Sequence, residues 1–153
     1  EPVLTTEGVN LVNAPAIAEM RQIRVTESKT TESEDYTSLL NVKVTTDKGK
    51  HTIAGTLIGR RNIRIVRIDG YYVDIVPEGI MIIAVHTDRP GIIGRVGTLL
   101  GNNGINIAGM HVGREAKGSR AVMVLIVDDP VPLPLLEQIR QLEGMENARL
   151  VEL

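Results

Sequence analysis

The chain has 153 residues, 17 Lys/Arg against 19 Asp/Glu, a formal charge of −2, and 42% hydrophobic residues, enough for one domain or two small ones. It has no cysteine, which excludes disulfides, thiolate catalysis and Cys-based zinc sites, and three Tyr without Phe or Trp leave little to stack on bases. No apolar run approaches the roughly 18 residues of a membrane span, and Glu1-Pro2-Val3-Leu4 lacks the character of a signal peptide.

Neither nucleic acid nor membrane is therefore an expected partner, and a cytoplasmic location is expected. A start at Glu rather than Met is expected of a fragment or a processed chain.

In chain order, Asn13-Ala14-Pro15 through Met20 reads as a short helix with Pro in its first turn. The polar stretch 26–38 reads as a loop or an exposed edge strand. Leu40, Val42 and Val44 alternate with polar residues, as in a half-buried strand. Asp47-Lys48-Gly49 turns into a second alternating run, Ile53, Gly55 and Leu57. Residues 63–68 and 71–76 form another strand pair, joined by Asp69-Gly70, a strong two-residue turn signal.

A division is expected near Pro77-Glu78-Gly79, giving domains 1–78 and 79–153. The second has the order strand 80–86, helix 92–102, strands 105–113 and 119–127 around a turn at 115–118, helix 133–142 and strand 148–151. This βαββαβ order is the ferredoxin-like arrangement. The fold class is thus α+β, an antiparallel-sheet domain followed by a ferredoxin-like one.

The segment from His86 to Ala108, HTDRPGIIGRVGTLLGNNGINIA, carries the most chemistry. A buried strand ends in a polar loop, and Ile93, Val96 and Leu100 then recur at helical spacing up to an Asn-Asn-Gly stop. Free N–H groups at such a helix start, at Ile92 and Ile93, suit a carboxylate. Asp88 can accept from an ammonium, Asn106 can bond either end of a small zwitterion, and His86 can donate to a carboxylate or accept from a hydroxyl. Blander roles compete: Asp88 as a helix cap, Asn106 as a loop tie, and Gly94 and Gly97 as helix-packing residues. His86, Asp88 and Arg89 could serve as acid, base and anion clamp. However, no nucleophile motif, GxGxxG nucleotide loop or HExxH metal motif accompanies them, so neither catalysis nor a metal site is expected.

No acid occurs between Asp47 and Asp69, where Lys48, Lys50, His51, Arg60, Arg61, Arg64 and Arg67 stand. These could hold a phosphate or carboxylate, or could be the charged edge of a solvated sheet. Strand alternation turns Arg64 away from Arg61 and Arg67.

The pattern H-x-D-R-P-G, G-x-x-G-T-L-L and G-I-N-I-A resembles the first half of an ACT domain. Val9-Asn10-Leu11-Val12-Asn13-Ala14-Pro15-Ala16, Gly55-Thr56-Leu57 and Ile68-Asp69-Gly70-Tyr71 resemble the intervening domain of long-form D-3-phosphoglycerate dehydrogenase. The matches run in the family's order from about Val9 to Leu153. The resemblance implies the non-catalytic C-terminal regulatory region of an NAD-dependent enzyme of serine synthesis, with NAD bound outside this chain.

It further implies L-serine bound by His86, Asp88 and Asn106 across the interface of a homodimer or higher oligomer. The family's better-known residue at position 88 is Asn, and a carboxylate there favours the ammonium and repels the ligand carboxylate. For the Arg-rich stretch the resemblance implies a phosphorylated substrate or another anion. The regulatory part of an L-serine dehydratase and a purely structural assembly module are the alternatives.

Overall fold

The computed structural model describes residues 9–10, 12–30 and 36–153. The chain forms two compact units, 1–34 and 35–153.

The first unit contains helix α1 (Ala14–Met20), started at Asn13 with Pro in its first turn, as its sequence predicts. Asn10 Oδ1 accepts from the amides of Val12 and Asn13 at 2.9 and 3.0 Å, which holds the chain bent into the helix. Of the stretch 26–38, residues 26–30 are irregular and 31–35 lie outside the described residues.

The second unit opens with a four-stranded antiparallel meander, β1 (Leu39–Thr46), β2 (Gly49–Ile58), β3 (Asn62–Ile68) and β4 (Tyr71–Ile75). Asp69 and Gly70, with φ of 48° and 89°, make the turn that matches strand twist. The Asp69 carboxylate accepts from the Thr52 amide at 2.7 Å and meets His51 Nδ1 at 2.8 Å, pinning this turn to β2.

Two expectations fail here. Every residue of β1 is exposed, and on β2 the buried side chains are Ala54 and Thr56 rather than Ile53 and Leu57. The reason is the reach of the cover: the apolar cluster between the two sheets of this unit takes Ile68, Tyr71, Val73 and Ile75 from β3 and β4, and nothing from β1 or β2.

The second sheet is built from β5 (Ile80–Thr87), β6 (Ile107–Arg114), β7 (Arg120–Val127) and β8 (Met145–Glu152), in the order β6-β7-β5-β8. Helices α2 (Ile92–Asn102) and α3 (Leu133–Arg140) complete the expected βαββαβ order. Val96 and Leu100 of α2 and Leu136 and Ile139 of α3 pack on Ile82, Ala84, Met123, Leu125 and Ala148. Burial of each large side chain contributes about 1.5–3 kcal/mol.

The opposite face of this sheet, through Met81, Val122 and Val124, meets the meander. At the closest approach, a Cβ on Gly113 would overlap the Tyr72 carbonyl oxygen and lie 3.2 Å from the side chains of Tyr71 and Val73. Among the described residues no helix is long and apolar enough to cross a membrane.

Candidate ligand site

His86 lies near the end of β5, on the helix-facing side with Ile82 and Ala84, and is fully buried. Its Nδ1 is 2.9 Å from the Thr87 carbonyl oxygen. A carbonyl can only accept, so Nδ1 carries the proton, and in the neutral ring Nε2 is left as an acceptor. That Nε2 is buried and has no hydrogen-bond partner. A buried imidazole nitrogen without a partner is costly unless a ligand or water satisfies it.

Asp88 follows two residues later. Its Oδ2 accepts from Arg114 Nη1 at 2.7 Å and from the Gly118 amide at 3.3 Å. Its own amide donates to the Ser119 carbonyl at 2.7 Å. The loop after β5 is thereby fastened to the tip of the β6–β7 hairpin. The Arg114 guanidinium, then the Gly118 amide, hold the Asp88 carboxyl below its ordinary value.

Asp88 does not cap α2. The N-cap is Gly91, with φ of 87° and no side-chain cap bond, and Pro90 precedes the helix rather than lying in its first turn. The Ile92 amide turns back towards the Arg89 carbonyl at 3.5 Å, and the Ile92 side chain is buried. The Ile93 and Gly94 amides have no acceptor among the described residues, so these two remain as donors that a carboxylate could use.

Asn106 is elsewhere. Strand β6 runs parallel to β5 on the far side of β7, so Ile107 shares a row with Val127 and Ile80, whereas His86 shares one with Ala121 and Arg114. Six residues of strand, about 20 Å, separate the row of Ile107 from that of His86, and Asn106 lies one residue further still. The Asn106 Nδ2 donates to Asp128 Oδ2 at 2.7 Å, and the Asp128 amide donates back to the Asn106 carbonyl at 3.2 Å. This tie fixes the amide orientation and leaves Asn106 Oδ1 as the outward acceptor.

The cationic stretch does not converge. Lys48 and Lys50 stand at one end of β2, and Arg60 and Arg61 in the turn at the other, about 30 Å apart. His51 meets Asp69 at 2.8 Å, and Arg67 donates to the Tyr72 hydroxyl at 2.8 Å while lying 4.5 Å over its ring. Contrary to simple alternation, Arg64 and Arg67 share a face. One extra residue at Val66 bulges β3, so these arginines stand opposite Thr56 and Ala54 of β2.

Arg64 lies 3.4 Å from Asp74, and its buried Nε has no partner. With Asp74 and His111 it lines a cleft of about 210 Å³ between the two sheets, closed by Met110, Val124 and Ile126.

Sequence reasoning missed Arg114 and Asp128, and weighed Gly94 only as a helix-packing residue. The signal for Arg114 was its position just before the turn at 115–118, which antiparallel pairing carries back beside the end of β5.

Two family models match the chain. Residues 1–69 match the D-3-phosphoglycerate dehydrogenase intervening domain, and residues 80–144 match the ACT domain. A D-3-phosphoglycerate dehydrogenase of Archaeoglobus fulgidus is 47% identical over 155 residues, covering 100% of this chain and 29% of that protein. The enzyme of the same name from Methanocaldococcus jannaschii is 43% identical over 99% of this chain and 28% of its own length. That of Synechocystis is 41% identical over 96% and 26%. The chain thus spans less than a third of the length of these relatives. It belongs to the D-3-phosphoglycerate dehydrogenase family, as that family's regulatory region of an intervening domain followed by an ACT domain.

Proposed function

We propose that this chain senses L-serine for a D-3-phosphoglycerate dehydrogenase, binding it between two copies of the ACT domain. The observation that carries the reading is His86: a buried imidazole with an unpartnered Nε2, two residues before Asp88 on the strand end and loop that lead into the free amides of α2. In this reading the Ile93 and Gly94 amides take the serine carboxylate, Asp88 takes the ammonium, and His86 Nε2 accepts from the hydroxyl.

Asn106 joins the site only from a second copy. Strand β6 is an edge of its sheet. Pairing two β6 strands about a two-fold axis is antiparallel, so the Ile107 end of one meets the Arg114 end of the other. That brings Asn106 of one copy to the His86 and Asp88 end of its neighbour, with Oδ1 free to accept from the ammonium.

Serine would then stabilise the paired arrangement and lower activity elsewhere in a whole enzyme, provided it binds one arrangement more tightly than another. Hydride transfer with NAD falls to the part of such an enzyme outside this chain.

Calorimetric titration with L-serine tests the reading, with D-serine and glycine as controls. Stereoselective binding that is lost in Asn106→Ala supports it. No heat at millimolar L-serine overturns it and leaves a structural assembly module.

A second reading concerns Arg64, whose buried and unpartnered Nε marks it as the member of the cationic stretch best placed to hold an anion. Phosphate binding that disappears in Arg64→Gln is the expected result, and binding unaffected by that change would move the role to another cation.

A further inference from the structure

Asp88 poses a problem for any amino-acid ligand. A lone carboxylate at this position attracts the ammonium but repels the ligand carboxylate two bonds away. The structure supplies the missing charge in Arg114, the last residue of β6, whose Nη1 lies 2.7 Å from Asp88 Oδ2. The two members of the pair are unlike. Asp88 has a side chain only 20% exposed and is also held by the Gly118 amide, so it is the fixed partner.

The Arg114 side chain is 55% exposed, and beyond its bond to Asp88 the guanidinium makes no other hydrogen bond among the described residues. Its Nη2 and Nε therefore remain as donors towards solvent. Asp88 likewise keeps Oδ1 without a donor.

We propose that Arg114 is a ligand-binding residue of this site, taking the carboxylate of an α-amino acid while Asp88 takes its ammonium. The proposal rests on the amino-acid reading above and deepens it. The pair presents adjacent opposite charges in a neutral unit, the complement of a zwitterion. A guanidinium can serve two carboxylates at once, Asp88 through Nη1 and the ligand through the Nη2–Nε edge. The free amides of Ile93 and Gly94 assist from the helix start, while the cation makes the stronger demand for a carboxylate. Amines lacking that group bind poorly in consequence, so Arg114 sets the site's preference for amino acids over amino alcohols.

The test is a titration of the 153-residue protein and its Arg114→Gln and Arg114→Lys variants with L-serine and with serinol. Serinol keeps the ammonium and hydroxyl and replaces the carboxylate by an alcohol. The expected result is that Arg114→Gln weakens L-serine at least ~10-fold, with serinol little changed and Arg114→Lys in between. The Arg114 Nε–H resonance of the labelled wild-type protein is expected to shift with L-serine and not with serinol.

Unchanged L-serine affinity in Arg114→Gln, or an unmoved Nε–H resonance at L-serine saturation, overturns the assignment while leaving the amino-acid site standing. Equal losses for both ligands would make Arg114 a positioning residue for Asp88 and also overturn it. Failure of the wild-type protein to bind L-serine at all overturns the amino-acid reading, and this inference with it.

Discussion

At the scale of single residues, protonation of Asp88 would release its bonds to Arg114 and Gly118 and remove the charge its proposed ligand role needs. Its carboxyl is held below the ordinary 3.8 by Arg114 and then by the Gly118 amide. Stability from this loop fastening is complete above the ordinary carboxylate range and is lost as pH falls through the lowered folded value. Arg114→Gln is expected to move the Asp88 midpoint up towards 3.8, read from the carboxylate ¹³C shift during an acid titration. A midpoint unmoved by the substitution would assign the lowered value to the Gly118 amide alone. His86, Asp88 and Asn106 were legible as candidates because each is a distinctive polar residue in a recognisable pattern. Their partners were not, because Arg114 and Asp128 reach them through strand pairing, and a linear pattern carries no cross-strand register.

At the scale of elements, periodicity located the strands and helices but did not decide which sheet faces are covered. The ranges of α2 and the Asp69-Gly70 turn came directly from stop and turn residues. The bulge at Val66 and the exposed β1 did not, since alternation assumes an unbroken register and a cover along the whole sheet. The contact between sheets gives a sharp test. Gly113→Ala places a methyl group against the Tyr72 carbonyl oxygen, which belongs to backbone and cannot swing aside. A loss of roughly 1–3 kcal/mol is expected in urea unfolding, with the two sheets pushed apart. A neutral result would mean that β4 and β6 do not meet as closely as described. On the other face, Leu100→Ala leaves a cavity beneath α2 and is expected to cost about 2–5 kcal/mol by the same measurement.

At the scale of the whole molecule, the proposed site is divided between the two ends of the ACT sheet. His86, Asp88, Arg114 and the α2 amides gather at one end, and Asn106 with Asp128 at the other, about 20 Å away. No motion within a rigid four-stranded sheet brings those ends together, whereas a two-fold copy does so twice. Ligand binding and association are then linked, so L-serine is expected to tighten the dimer by mass action. Sedimentation at falling protein concentration reads this directly: dissociation should shift to lower concentration when L-serine is present. Unchanged dissociation at saturating L-serine would place the whole ligand within one copy.

The most direct test of the shared site is complementation between Asp88→Ala and Asn106→Ala. Each variant alone lacks one half of every site and is expected to bind L-serine weakly. In a mixed dimer, one of the two sites draws Asp88 and Asn106 from the two intact halves. An equal mixture with random exchange should therefore recover about a quarter of the wild-type binding capacity, at wild-type affinity. A mixture that binds no better than its separate components, while the wild-type protein binds L-serine, would contradict a site completed by the second copy.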